Sequence, residues 1–140
     1  MIILDTNVLS ALMRTTPDRA VLTWIDRQPA EAIWLTSITI FEVKFGLELM
    51  DAGPRRAQLE SAFARMLQDD FRGRVLSFDP AAAEKAALLG AQRQRSGTSV
   101  DFRDTEIAGI VLTRRATLAT RNLRHFEDAG IALVDPWIAS

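Results

Sequence analysis

The chain opens Met1-Ile2-Ile3-Leu4-Asp5-Thr6-Asn7, four apolar residues stopped abruptly by an acid. No other stretch constrains the fold as much. An apolar run with no polar alternation is the pattern of a strand covered on both faces, and such strands belong to parallel sheets flanked by helices. Asp5 then stands at the strand's carboxyl end, the edge at which open α/β sheets hold their ligands. If this is right, later strands should alternate with helices and bring polar groups to the same edge.

Four further strand candidates follow: Ile33-Trp34-Leu35 running into Thr36-Ser37, Val75-Leu76-Ser77-Phe78 before Asp79, Thr117-Leu118-Ala119-Thr120, and Ile131-Ala132-Leu133-Val134 before Asp135. Between them lie helical patterns. Val8 to Met13 begins one. Thr16-Pro17-Asp18 reads as a cap with proline at the first helical position, ahead of Val21, Leu22, Trp24 and Ile25, and Pro29 marks the stop. Pro54 opens a helix with Leu59, Phe63, Met66 and Leu67 on its inner face. Asp79-Pro80 opens an alanine-rich one carrying Ala83, Ala86, Ala87 and Leu89, which ends at Gly97. Asp101, Asp104 and Glu106 lead into the apolar Ile107 to Leu112, and acids in a first helical turn are favoured by the helix dipole.

Residues 37–50 set two local rules against each other. Phe41, Val43, Phe45, Leu47 and Leu49 alternate like a strand, while Ile38, Phe41, Phe45 and Leu49 also form an i, i+3/i+4 row. Length decides for a helix capped by Ser37. Glu42 falls inside this apolar segment, so it either points to solvent beside Lys44 or has a partner or a cation, because a buried unpaired carboxylate costs several kcal/mol. The sum is one α/β domain over residues 1–140, with a central parallel sheet of about five strands and helices on both faces.

Elimination narrows the chemistry. There is no Cys, no Tyr and a single His, His125, and no G-x-S-x-G, G-x-x-x-x-G-K-[ST] or G-x-G-x-x-G motif. Thiol and tyrosyl nucleophiles, serine-elbow hydrolysis and the common nucleotide cradles are thereby excluded. Carboxylates remain: Asp5 after the first strand, Glu42 among apolar neighbours, and Asp101 and Asp104 at a helix start. Clustered acids raise one another's pKa unless a cation neutralises them, and oxygen-only ligands suit Mg²⁺ or Mn²⁺. Such a site can hydrolyse a phosphodiester. Net charge is −1, so bulk attraction does not advertise a nucleic acid. Yet 15 of the 17 basic residues are Arg, which fits either a phosphate-rich partner or solvated helix faces. Met1 leads into the apolar run without a basic leader, and no segment nears the roughly 18 apolar residues of a membrane span, so a cytoplasmic protein with no membrane partner is expected.

Taken in order, Ile3-Leu4-Asp5-Thr6-Asn7, Ser37-Ile38-Thr39-Ile40-Phe41-Glu42, Asp104-Thr105-Glu106-Ile107-Ala108, Ala119-Thr120-Arg121-Asn122-Leu123-Arg124-His125-Phe126 and Asp135-Pro136-Trp137 closely resemble the PIN-domain ribonucleases. More narrowly the chain resembles the VapC toxins of VapBC modules and their FitB-like relatives. The resemblance implies a Mg²⁺- or Mn²⁺-dependent endoribonuclease acting on RNA. It also implies a cognate VapB-type antitoxin as partner, and a homodimer or a hetero-oligomer with that antitoxin. By position, Asp5, Glu42 and Asp104 match the family's acidic core, with Asp5 and Asp104 as direct metal ligands. Thr6, Asn7, Thr120 and Asn122 would support them. Many members carry an acid where this chain has Asn122 or His125, so a second metal is not implied. Asp101 falls outside the motif and serves as a control. Two alternatives remain: a non-catalytic PIN-like binding module, and a haloacid-dehalogenase-type phosphatase, which needs a second acid where Asn7 stands.

Overall fold

In the computed structural model, which describes residues 1–139, five short strands form one parallel sheet. They are β1 (Ile2–Leu4), β2 (Ile33–Thr36), β3 (Val75–Leu76), β4 (Thr117–Ala119) and β5 (Ala132–Val134), in the order β3-β2-β1-β4-β5. β1 is central, with Ile2 opposite Ile33 on one side and Thr117 on the other. Its alternation feeds two cores. Ile3 packs with Leu118, Leu89, Ile107 and Ile110, whereas Leu4 packs with Val8, Leu35, Val43 and Phe63.

Six helices cover the sheet: α1 (Thr6–Leu12), α2 (Arg19–Asp26), α3 (Ser37–Leu49), α4 (Pro54–Arg65), α5 (Pro80–Arg95) and α6 (Phe102–Arg114). The buried residues of α1 to α4 join the Leu4 core, and those of α5 and α6 join the Ile3 core, so both faces are covered as the first strand required. The chain first builds outward from β1 through β2 to β3, then returns to add β4 on β1's other side. This reversal opens a crevice at the carboxyl ends of β1 and β4, the general location of ligand sites in such sheets. No helix among the described residues is long and apolar enough to cross a membrane.

Several local expectations shift. α1 starts at Thr6 rather than Val8, because the Asp5 carboxylate accepts the Thr6 N–H at 2.8 Å and caps the helix directly off the strand. Asp18, not Thr16, caps α2 by accepting from the Ala20 N–H at 2.9 Å, which leaves Pro17 outside the helix. The segment 37–50 is indeed helical, but its cap is Thr36, whose hydroxyl accepts from the Thr39 N–H. The third strand ends at Leu76, because Phe78 turns its N–H to the Ser37 hydroxyl instead of continuing the ladder.

Two helix faces also differ from the reading of the pattern. On α3 the buried row is Thr39, Val43 and Leu47, while Phe41, Phe45 and Leu49 are 53, 49 and 72% exposed. On α5 the buried row is Ala82, Ala86, Leu89 and Arg93, not Ala83 and Ala87. Small residues are needed there because α6 comes close: a Cβ on Gly109 would stand 2.5 Å from the Ala82 carbonyl oxygen and 2.8 Å from the Ala86 Cβ.

Candidate active site

Asp5 ends β1 and caps α1, which leaves its carboxylate 4% exposed in the crevice between β1 and β4. Across that crevice the Thr120 hydroxyl donates to Oδ2 of Asp5 at 2.7 Å. The Asn7 amide reaches both Asp5 Oδ2 and Thr120 Oγ1 at 3.4 Å, and its own oxygen accepts the Arg121 N–H at 3.2 Å. Asn7 and Thr120 therefore orient Asp5 rather than add charge to it. The asparagine amide stands where the phosphatase reading requires an acid.

Thr6, the first residue of α1, reaches the other way. Its hydroxyl donates to Oε1 of Glu42 at 3.0 Å and lies 3.0 Å from the Thr39 hydroxyl. Thr36 continues this line by donating to Thr39 at 3.4 Å. The chain of threonine hydroxyls explains how α3 carries a half-buried acid: Glu42 is satisfied by a neutral donor, and Arg103 approaches its second oxygen at 3.9 Å. Glu42 thus does not point freely into solvent beside Lys44.

Asp104 sits in the first turn of α6, 18% exposed, with Oδ2 2.9 Å from Nδ1 of His125. His125, the single histidine, follows β4 in the short turn Leu123–His125. Its ring is half exposed, but it is the side-chain partner of Asp104. Asp101 is the cap of α6, binds Arg103 at 3.1 Å, and takes no part in the Asp5 network. Asp79 likewise only caps α5, by accepting from the Ala82 N–H. Asn122 contributes its main-chain N–H to the Thr120 hydroxyl at 3.0 Å, which tightens the loop after β4.

The electrostatics separate these acids. Burial pushes the carboxyls of Asp5, Glu42 and Asp104 above their ordinary values. Asp104's charge adds to the rise at Asp5, and both Asp5 and Asp104 add to it at Glu42. The hydroxyls of Thr120 and Thr6 and the imidazole of His125 only partly offset this. Asp101 moves the opposite way, held low by the Arg103 guanidinium. Three carboxylates whose charged forms are disfavoured by burial and by nearby like charge, and which themselves offer only oxygen ligands, fit a hard divalent cation. Among the described residues no three acidic or histidine side chains stand close enough to enclose an ion by themselves. The donor set therefore suits a cation that keeps part of its water shell, as Mg²⁺ does.

Sequence reasoning missed one participant. Arg93 of α5 is buried and donates to Asp128, to the Thr105 hydroxyl beside Asp104, and to the main-chain oxygen of His125. Its signal was present, since Arg93 continues the i, i+4, i+7, i+11 row begun by Ala82.

Known proteins resemble this chain over nearly its full length. The PIN domain family matches residues 2–131. A VapC ribonuclease of Sinorhizobium fredii is 42% identical over 98% of both chains, and the toxin FitB of Neisseria gonorrhoeae is 31% identical over 98% of this chain and 99% of its own. Among solved structures, FitAB bound to a DNA fragment contains a chain that superposes with a TM-score of 0.90 at 31% identity, covering 100% of this chain and 98% of that one.

Proposed function

Because the chain belongs to the PIN-domain family, we propose that it is a Mg²⁺- or Mn²⁺-dependent endoribonuclease, the toxin of a VapBC-type toxin–antitoxin pair. One observation carries the reading: Asp5, Glu42 and Asp104 come from three different elements to the carboxyl edge of the sheet, and each is held with its pKa raised. A binding module has no use for three acids in such an arrangement. The family assignment sets the phosphatase alternative aside.

Asp5 and Asp104 are the residues that would hold the cation. Bound there, Mg²⁺ or Mn²⁺ would supply neutralisation of charge on the phosphoryl oxygens and a more acidic attacking water. Glu42 is suited to take a water's proton, because burial raises its carboxyl above the ordinary value while the Thr6 hydroxyl fixes one oxygen and the other has, among the described residues, only the Arg103 guanidinium, 3.9 Å away, beside it. Asn7 and Thr120 orient Asp5, and Asn122 supports the loop that carries Thr120.

The arginines support RNA as substrate only in part. Arg56 is engaged by Glu48 and Glu60, Arg74 by main-chain oxygens, and Arg93 is buried. A cleft of about 1020 Å³ that touches Thr6 and Glu42 is bordered by Arg14, Arg55 and Arg65, with Asp69 and Asp70 also on its wall. Three basic groups in a cleft that reaches Glu42 suit a phosphate chain. The proposal includes a VapB-type antitoxin as partner, in keeping with the FitAB assembly, and a homodimer within that assembly. The stacked Phe41 and Phe45 rings, 5.6 Å apart on the exposed side of α3, support such association.

The test is cleavage of RNA by the purified protein with Mg²⁺, Mn²⁺ or chelator. Cleavage that requires the metal and disappears with Asp5→Asn and Asp104→Asn is expected. Cleavage that persists in chelator, or intact RNA alongside phosphate released from small monoesters, would overturn the reading. Co-expression of a cognate VapB-type antitoxin should suppress the activity.

A further inference from the structure

The guanidinium of Arg93 stands inside the Ile3 half of the molecule, 3% exposed, where the rest of the α5–α6 contact is made by Ala82, Ala86, Leu89, Ile107 and Ile110. Taking a charge out of water costs several kcal/mol, and well-packed apolar side chains join two helices as well or better. Joining α5 to α6 therefore does not account for an arginine at this position. Its hydrogen bonds do. Nε and Nη2 grip the two oxygens of Asp128 at 2.9 and 2.7 Å, Nη1 donates to the Thr105 hydroxyl at 2.9 Å, and Nη2 donates to the main-chain oxygen of His125 at 2.6 Å.

Two of these partners adjoin the candidate site. Thr105 follows Asp104 on α6, and His125 is the residue whose Nδ1 lies 2.9 Å from Asp104 Oδ2. The loop that carries His125 is a single turn, Leu123–His125, and the exposed ring has no other hydrogen-bonding partner among the described residues. What places the imidazole is the main chain beneath it, and Arg93 holds that main chain. The fork geometry of the guanidinium allows one side chain to do so on three segments at once, which an ammonium on a flexible stem does not.

We propose that Arg93 is a positioning residue for the nuclease site: by clamping the His125 carbonyl, Thr105 and Asp128 together, it holds the His125 ring against Asp104 Oδ2 and so fixes which Asp104 oxygen is left free in the crevice. The catalytic part of this inference rests on the proposed role of Asp104. The geometric part stands apart from it. With the ring proton on Nδ1, His125 donates to Asp104, so a held imidazole should keep one tautomer.

Because the chain has one histidine, its ring nitrogens are observable without assignment by mutation. The experiment uses ¹⁵N-labelled, metal-free protein as wild type, Asp128→Asn and Arg93→Lys, with cleavage kinetics on the same samples plus magnesium. Asp128 is 43% exposed and its asparagine variant is isosteric and leaves Arg93 in place, so it is the milder of the two changes, and circular dichroism on the same samples checks that each variant is folded. In the wild type the ring signals should show a single tautomer. In Asp128→Asn they should move toward the averaged pattern of a free imidazole, while turnover at saturating RNA falls roughly tenfold and KM stays within about twofold. Adding His125→Ala to Asp128→Asn should cost little more than either change alone. Unchanged ring signals in both variants would overturn the proposal, and so would losses that multiply in the double variant. If the wild type cleaves no RNA under any metal, the proposed function fails, and the ring signals alone then decide whether Arg93 places His125.

Discussion

Asp5→Asn should make the metal-free protein more stable and the metal-loaded protein relatively less so. Asp5 is 4% exposed and receives the Thr6 N–H at 2.8 Å and the Thr120 hydroxyl at 2.7 Å. Asparagine keeps the shape and the Thr6 bond, and its amide can turn to the Thr120 oxygen. What disappears is a desolvated charge that Asp104 repels. Relief of that kind is worth about 1–2 kcal/mol at neutral pH. A 140-residue chain gains roughly 3.4 °C in Tm for each kcal/mol, so the variant should melt about 3–7 °C higher in chelator at pH 7. The sign of the pH dependence follows from the raised carboxyl. Below its ordinary value of 3.8 the acid is protonated in both states and contributes its full native stability, which is lost as pH rises through the higher folded pKa. The gap between the two proteins should therefore be small near pH 4 and widen toward neutrality. Magnesium at a hundred times its Kd adds about 2.7 kcal/mol to the wild type and much less to a variant lacking the ligand, which reverses the order. Thermal melts in chelator and in magnesium across pH 4–7 measure all of this. A variant that melts below the wild type in chelator at pH 7, or an equal magnesium shift in both proteins, would refute the reasoning.

Three further outcomes follow from the same geometry. Asp104→Asn should lower RNA cleavage at least roughly hundredfold, whereas Asp101→Asn should stay within about twofold, since asparagine caps a helix as well as aspartate does; equal losses measured side by side would remove the distinction between the two acids. Thr6→Val takes a hydroxyl donor from Glu42, so the carboxyl should rise further and the acidic limb of the pH–rate profile should move to higher pH, and an unmoved limb would show that Glu42 is not the group titrating. Gly109→Ala places a methyl 2.5 Å from the Ala82 carbonyl oxygen, an overpacking worth about 1–3 kcal/mol against a helix gain of about 0.5–1, so the urea midpoint should fall; a rise would mean that α5 yields freely.

What the amino-acid order made legible was whatever depends on local backbone rules. Four apolar residues before Asp5 predicted a doubly covered parallel strand, and the acid at its end lies in the crevice where strand order reverses. The helix over residues 37–50 was legible through its length, although its alternation argued for a strand. Its inward face was not, because α3 is apolar on more than one side: Val43 and Leu47 face the core, while Phe41, Phe45 and Leu49 face out. Periodicity identifies a stripe but cannot tell a stripe that meets its own core from one left for another surface.

Contacts between residues far apart in sequence were illegible for a different reason. Asp104 and His125 are 21 residues apart and Arg93 and Asp128 are 35 apart, and neither pair follows from spacing. A basic helix end predicts arginines that favour the helix dipole from solvent, and Arg95 fits that description. Arg93 does not, because Gly109 lets α6 approach along the Ala82–Ala86–Leu89 row and the next position on that row is then enclosed. Once enclosed, a guanidinium must find acceptors for its donors, and the acceptors within reach are Thr105, Asp128 and the carbonyl of His125. The close helix contact that a single glycine permits is thus connected, through one buried charge, to the placement of the only histidine beside Asp104.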